Sequence, residues 1–115
     1  WWCFCPNANL YIENTLPEIE RITKATENIL IGTDSLASND QLSILSELKI
    51  ITNKFPQITL HQLLTWSTIN GAKALKMDNE LGTLEKGKKP GLVLIENVDL
   101  QNQKITESSK SKKVA

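Results

Sequence analysis

Two short, uninterrupted apolar runs constrain this chain most: WWCFC at residues 1–5 and ILIGT at 29–33. Neither alternates between apolar and polar residues, which is the pattern of strands covered on both faces, and strands of that kind belong to parallel sheets. Parallel neighbours need a crossover of a dozen or more residues. The segment between the runs supplies one. Pro17 to Thr26 reads as a short helix, with Pro17 in the first turn and Glu18 and Glu20 near the positive helix end. The expectation is a parallel βαβ unit. Two strands do not complete such a sheet, and WWCFCPNA starts inside an apolar run, so the chain reads as a segment of something larger.

Beyond the second run, Ser38 stands three residues before Gln41, a capping-box spacing. Leu42, Leu45, Leu48 and Ile51 then recur at helical period as far as Asn53, and Pro56 ends the element. Thr59 and Gln62 form a second capping box. It opens LHQLLTWSTINGAKALK, whose Leu60, Leu63, Leu64, Ile69, Ala72 and Leu75 predict one apolar side. Gly71 is costly inside a helix, by about 1 kcal/mol relative to alanine, and suggests a close helix contact. Gly82, Gly87 and Gly91 punctuate a turn-rich path into LVLIE, residues 92–96, a third apolar strand. From Val98 the chain is polar, either disordered or a terminal strand in need of a partner.

Thirteen basic and thirteen acidic residues cancel to a formal charge of zero, which removes the electrostatic case for nucleic acid or an anionic membrane as partner. No apolar run approaches a bilayer span. Cys3 and Cys5, spaced C-x-C, point the same way on a strand and form no low-strain disulfide. They read as two buried thiols in a reducing, cytoplasmic setting.

In parallel α/β architectures, reactive groups sit where loops leave the carboxyl ends of strands. Asn7 and Asn9 hold that place after the first run and Asp34 after the second. A carboxylate there can bind a metal, act as general acid or base, or cap the next turn. On position alone capping or loop hydrogen bonding ranks first, because Asp is a common turn residue. His61, in the first turn of a helix, reads as solvated or packed ahead of ligating. The four lysines after Gln103 read as a solvated end, and no helix opens after GTLEKGKKPG to cradle a phosphate.

Taken together, CPNANLYI, LIGTDSLASND, TLHQLLTWSTINGAKAL and LGTLEKGKKPGLVLIE resemble, in order and spacing, the C-terminal part of the amidohydrolase superfamily. The similarity is to its chlorohydrolase and deaminase-like branch, and it covers roughly residues 3–97. The resemblance implies an α/β fold: strands seven and eight of a (β/α)8 barrel with their helices, over residues 1–90. Residues 91–115 would supply a strand or hairpin of the flanking β-sandwich and a polar tail. Asp34 matches the family's strand-eight aspartate, which lies at the metal, takes a proton from activated water and passes it to the leaving group. Asn9 matches the asparagine of a Pro-x-Ser-Asn turn that shapes the substrate pocket, with Ala8 in place of the serine. Asn70, Gly71 and Ala72 match a structural helix motif, and Pro90-Gly91 replaces the usual Ala-Asp before the last strand.

The implied reaction is hydrolysis of a carbon–nitrogen bond in a small-molecule substrate, by deamination or a dechlorination-like displacement. The implied cofactor is a divalent metal in the full-length parent, zinc ahead of iron. The family's histidine ligands are missing from these residues, and His61 matches none of them, so the segment alone is expected to bind no metal and to be inactive. The competing reading is a packing or assembly module without chemistry. Exposed strand edges lead to the further expectation of a homo-oligomer or domain-swapped dimer.

Overall fold

The computed structural model describes all 115 residues, Trp1–Ala115. In chain order it runs β1 (Trp2–Phe4), α1 (Pro6–Glu13), α2 (Ile19–Ala25), β2 (Ile29–Ile31), α3 (Ile44–Lys54), α4 (Leu60–Ser67), α5 (Ile69–Ala74), β3 (Val93–Glu96) and β4 (Lys110–Lys113). The architecture is α/β. β1 and β2 pair in parallel, with Trp2 opposite Ile29 and Phe4 opposite Ile31. The Gly32 amide continues the ladder by donating to the Phe4 carbonyl at 2.9 Å.

The strand pair is covered on one face only. Phe4, Ile29 and Ile31 enter a core with Ile19, Leu45, Leu48, Ile51, Ile58, Leu63, Trp66 and Ile105. That core draws on α2, α3 and α4, so burying it drives the helices onto the sheet. The other face is open: Trp1 and Cys3 are exposed and Cys5 is half-buried, while Trp2, on the core face with Phe4, is exposed at its edge beside α2. The expectation of a first strand buried on both faces, with two buried thiols, is therefore corrected.

Three boundaries also differ from expectation. Pro6–Glu13 is a helix where a turn was expected; Pro6 sits at its start, where a missing amide costs nothing. Ser38 does not cap α3. Ser43 does, accepting from the Ser46 amide, and Leu42 is left exposed. The Thr59–Gln62 capping box forms as expected. The helix it opens breaks at Thr68, whose φ of −130° and ψ of −91° separate α4 from α5. Just before the break Ser67 and Thr68 turn their hydroxyls back to the carbonyls of Leu63 and Leu64, at 2.8 and 2.6 Å, bonds that bend helices. The apolar side follows suit: Leu63, Trp66 and Ala72 are buried, whereas Leu64 and Leu75 are exposed.

Gly71 has no close neighbour, since a Cβ placed there meets nothing within 4 Å. The expected helix contact is absent, and nothing in the structure explains the glycine. The polar end of the chain is ordered as β4, antiparallel to β3. This hairpin is anchored by Ile105 in the core and by the Lys49 ammonium on the Glu107 carbonyl at 2.8 Å. β3 itself is largely exposed.

Candidate functional site

The carboxyl ends of β1 and β2 lie side by side because the strands are parallel and adjacent. Two loops leave from there, one through Cys5 into α1 and the other through Gly32, Thr33 and Asp34 toward α3. Gly32 is required by the first loop's thiols: a Cβ at this position would stand 2.9 Å from Cys3 Sγ and 3.2 Å from Cys5 Sγ. Both thiols thus face the start of the second loop. Cys5 has its pKa pushed up to about 11, first by burial and then by the adjacent Cys3, while the Asp34 main-chain amide works in the opposite direction.

Asp34 has a φ of +56°, a left-handed conformation that Asp tolerates better than most residues. The backbone reversal leaves its side chain exposed. Its carboxylate Oδ2 accepts a hydrogen bond from Ser38 Oγ at 2.7 Å. Ser38, expected as a helix cap, instead holds the carboxylate. The bond is local, four residues apart, and satisfies one oxygen of the acid while leaving the group in reach of solvent.

Asn9 lies in the first turn and a half of α1 rather than in a turn, half-buried. Its amide nitrogen donates to the Cys5 carbonyl at 2.9 Å, and its side chain has no partner within the chain. Asn9, on α1, and Asp34, on its loop, thus follow the carboxyl ends of adjacent strands. His61 is elsewhere. It is exposed in the first turn of α4 and lines a cleft of about 320 Å³ with Glu27, Trp66, Asn70 and Lys73. Glu27 precedes β2, so this cleft opens at the amino end of the strand, opposite to Asp34.

Sequence reasoning missed the residue that ties the two loops together. Glu47, on α3, is fully buried at 0% exposure. Its Oε2 accepts the Asn7 main-chain amide at 2.8 Å, and its Oε1 accepts Asn39 Nδ2 at 2.7 Å. Asn39 Nδ2 also donates to the Thr33 carbonyl at 2.9 Å. A signal was present: Glu47 lies four residues before Ile51 and between Leu45 and Leu48, all buried, so a carboxylate interrupts the inward stripe of α3.

No three side chains among His, Cys, Asp and Glu converge anywhere in the chain as metal ligands do. Asp34 offers one oxygen donor. The residues present therefore do not by themselves fit a divalent cation, which in a catalytic zinc site takes three protein ligands. No helix is long and apolar enough to cross a membrane.

Against known proteins, the sequence profile of the amidohydrolase family matches residues 2–115. A 5-methylthioadenosine/S-adenosylhomocysteine deaminase of Moorella thermoacetica is 35% identical over 99 residues, 80% of this chain and 23% of that protein. A protein of the same name from Caldicellulosiruptor saccharolyticus is 36% identical over 102 residues, 83% of this chain and 24% of that protein. Among solved structures, an adenosine deaminase from Xanthomonas campestris with bound zinc superposes with a TM-score of 0.70 at 29% identity, over 88% of this chain and 25% of that one. Escherichia coli guanine deaminase shares the fold, with a TM-score of 0.65 at 23% identity over 82% of this chain and 22% of that one. The chain spans about a quarter of the length of the curated relatives it matches.

Proposed function

The chain belongs to the amidohydrolase family, and from that premise we propose that it forms the C-terminal part of a metal-dependent hydrolase that deaminates a small heterocyclic substrate. In this reading residues 1–90 contribute the last two strands of a (β/α)8 barrel with their helices. Residues 91–115 contribute the β3–β4 hairpin to a flanking sandwich. The relatives' names support hydrolysis of a carbon–nitrogen bond, and the adenosine-type nucleosides in those names are the first substrates to try. The metal belongs to the whole protein, since these residues lack the donors to hold it alone.

One observation carries the chemistry. Asp34 stands exposed at the carboxyl end of a parallel strand, in a left-handed backbone conformation and with one carboxylate oxygen held by Ser38. Strand-end loops are where catalytic groups of such folds cluster. There the carboxylate takes a proton from the attacking water and hands it to the departing amino group, so that water and substrate amine leave as carbonyl product and ammonia. Ser38 fixes the rotamer of the acid and leaves the second oxygen free for the proton. Asn9, near the start of α1 after the adjacent strand and with an unpartnered side-chain amide, is the candidate contact to substrate.

The test is Asp34→Asn in the whole protein, which keeps the shape and one acceptor oxygen but abolishes the base. General acid–base catalysis contributes about 10²–10⁴-fold, and kcat should fall by that much in an ammonia-release assay with 5-methylthioadenosine, adenosine and guanine. Unchanged turnover would end the assignment. A whole protein inactive on every carbon–nitrogen substrate tried would favour the assembly module instead.

A further inference from the structure

We infer that Glu47 is the positioning residue of the site: one buried carboxylate that clamps both strand-end loops to α3 and so sets where Asp34 and Asn9 stand. The inference rests on the reading of Asp34 as the proton-carrying acid. Its own warrant is the hydrogen-bond geometry.

A carboxylate with no exposure must be satisfied by donors or by a cation. Glu47 is in neither of the chain's two ion pairs, which join Arg21 to Glu18 and Lys88 to Glu85. Instead it takes one strong donor from each loop. Oε2 accepts the amide of Asn7, 40 residues away and in the first turn of α1, where the helix end favours negative charge. Oε1 accepts Asn39. Both bonds are charge-assisted and at the short end of the range for such donors.

From these two oxygens the constraint reaches the candidate site by short paths. Through Asn7 it fixes the first turn of α1, which carries Asn9. Through Asn39 it fixes both ends of the Asp34 loop at once. The Asn39 side-chain nitrogen also holds the carbonyl of Thr33, the residue before Asp34, and the Asn39 backbone follows Ser38, which holds the Asp34 carboxylate. Ser46, beside it on α3, also bridges the two segments, accepting Asn7 Nδ2 and Gln41 Nε2, but at 3.3 Å each and through a single neutral oxygen.

Glutamine tests this closely. In Glu47→Gln one acceptor oxygen becomes an NH₂ group, so one arm of the clamp meets a donor with a donor. The whole protein is measured by hydrogen exchange in peptides spanning residues 5–14 and 32–41, and by steady-state kinetics. Exchange should quicken in one or both windows and stay unchanged over 60–75 and 92–115. Displaced catalytic groups cost rate more than binding, so kcat should fall about 10- to 100-fold while KM moves by less than about threefold. Asn39→Ala cuts one arm alone and should quicken exchange over 32–41 without changing 5–14. It keeps the inference testable if Glu47→Gln folds poorly.

Even loss of protection across all four windows would make Glu47 a general prop of the core and overturn the inference. So would unchanged exchange in both loops, or loosened loops with full kcat. The exchange windows read the clamp, and the turnover of Asp34→Asn reads the chemistry. Failure of one is thus distinguishable from failure of the other.

Discussion

Replacing Asn70 with alanine should cost this small domain a large part of its stability, through two bonds that cross from helix to strand. Asn70 is 7% exposed and lies in α5. Its Nδ2 donates to the carbonyl of Glu27 at 3.0 Å and to that of Ile29 at 2.7 Å, pinning α5 to the start of β2 across more than 40 residues of sequence. Alanine removes both bonds and leaves the Ile29 carbonyl without a partner, whereas the Glu27 carbonyl keeps the Ile29 amide at 2.8 Å. A lost bond costs about 1 kcal/mol net, and a buried group left unsatisfied costs about 1–3 kcal/mol, so the pair is worth about 2–4 kcal/mol. With an m value of about 2 kcal/mol/M in urea, a 3 kcal/mol loss lowers the unfolding midpoint by about 1.5 M. Asn70→Asp should cost at least as much, because it sets carboxylate oxygen against the same two carbonyls. Asn53, exposed on α3 with a single exposed side-chain bond to Glu107, is the control, and its alanine variant should stay within about 0.5 kcal/mol of the parent. An Asn70→Ala midpoint within about 0.3 M of the parent at equal m would refute the reasoning, because it would mean the Ile29 carbonyl is satisfied without the side chain.

Two glycines should respond in opposite directions. Gly82 has a φ of +89°, and a Cβ there would stand 2.9 Å from Ala72 Cβ and Ile69 Cα. Gly82→Ala should therefore destabilise by about 1–3 kcal/mol in thermal or urea unfolding. Gly71, helical with open space around it, should gain about 0.5–1 kcal/mol as alanine. The raised pKa of Cys5 sets a pH dependence: the folded state holds the thiol proton to about 11, the unfolded chain only to about 9. Between those values the folded state binds more protons, so stability is fully present below pH 9 and falls as pH rises to 11. Cys5→Ala should flatten that stretch of the profile, and an unchanged slope would argue against it.

The elements legible in the sequence were those written in local chemistry. The apolar runs at 1–5 and 29–33 are strands because continuous apolar stretches suit a parallel pair, and β1 and β2 do pair in parallel. The Thr59–Gln62 box marks a helix start because both its bonds close within one turn. Ser38–Gln41 has a similar spacing and caps nothing, since Ser38 finds a better acceptor in the Asp34 carboxylate. Spacing alone cannot rank a loop carboxylate against a helix amide. The α4–α5 helix looked continuous because its apolar period runs through Thr68. Its break comes with side-chain bonds at Ser67 and Thr68 and with the tie from Asn70 to β2, which periodicity does not encode.

By itself the sequence determined the parallel strand pair, the helices that cover it, and the place of Asp34 one short loop beyond a strand, because each depends on residues close together in the chain. Only the tertiary structure decided that β1 is covered on one face, that the polar end becomes β4, and that Glu47 joins the loops of Asn7 and Asn39. Those outcomes are set by bonds and contacts between residues up to tens of positions apart. A buried carboxylate chooses its donors from whatever the packing brings within about 3 Å, and that choice exists only once the helices have closed on the sheet.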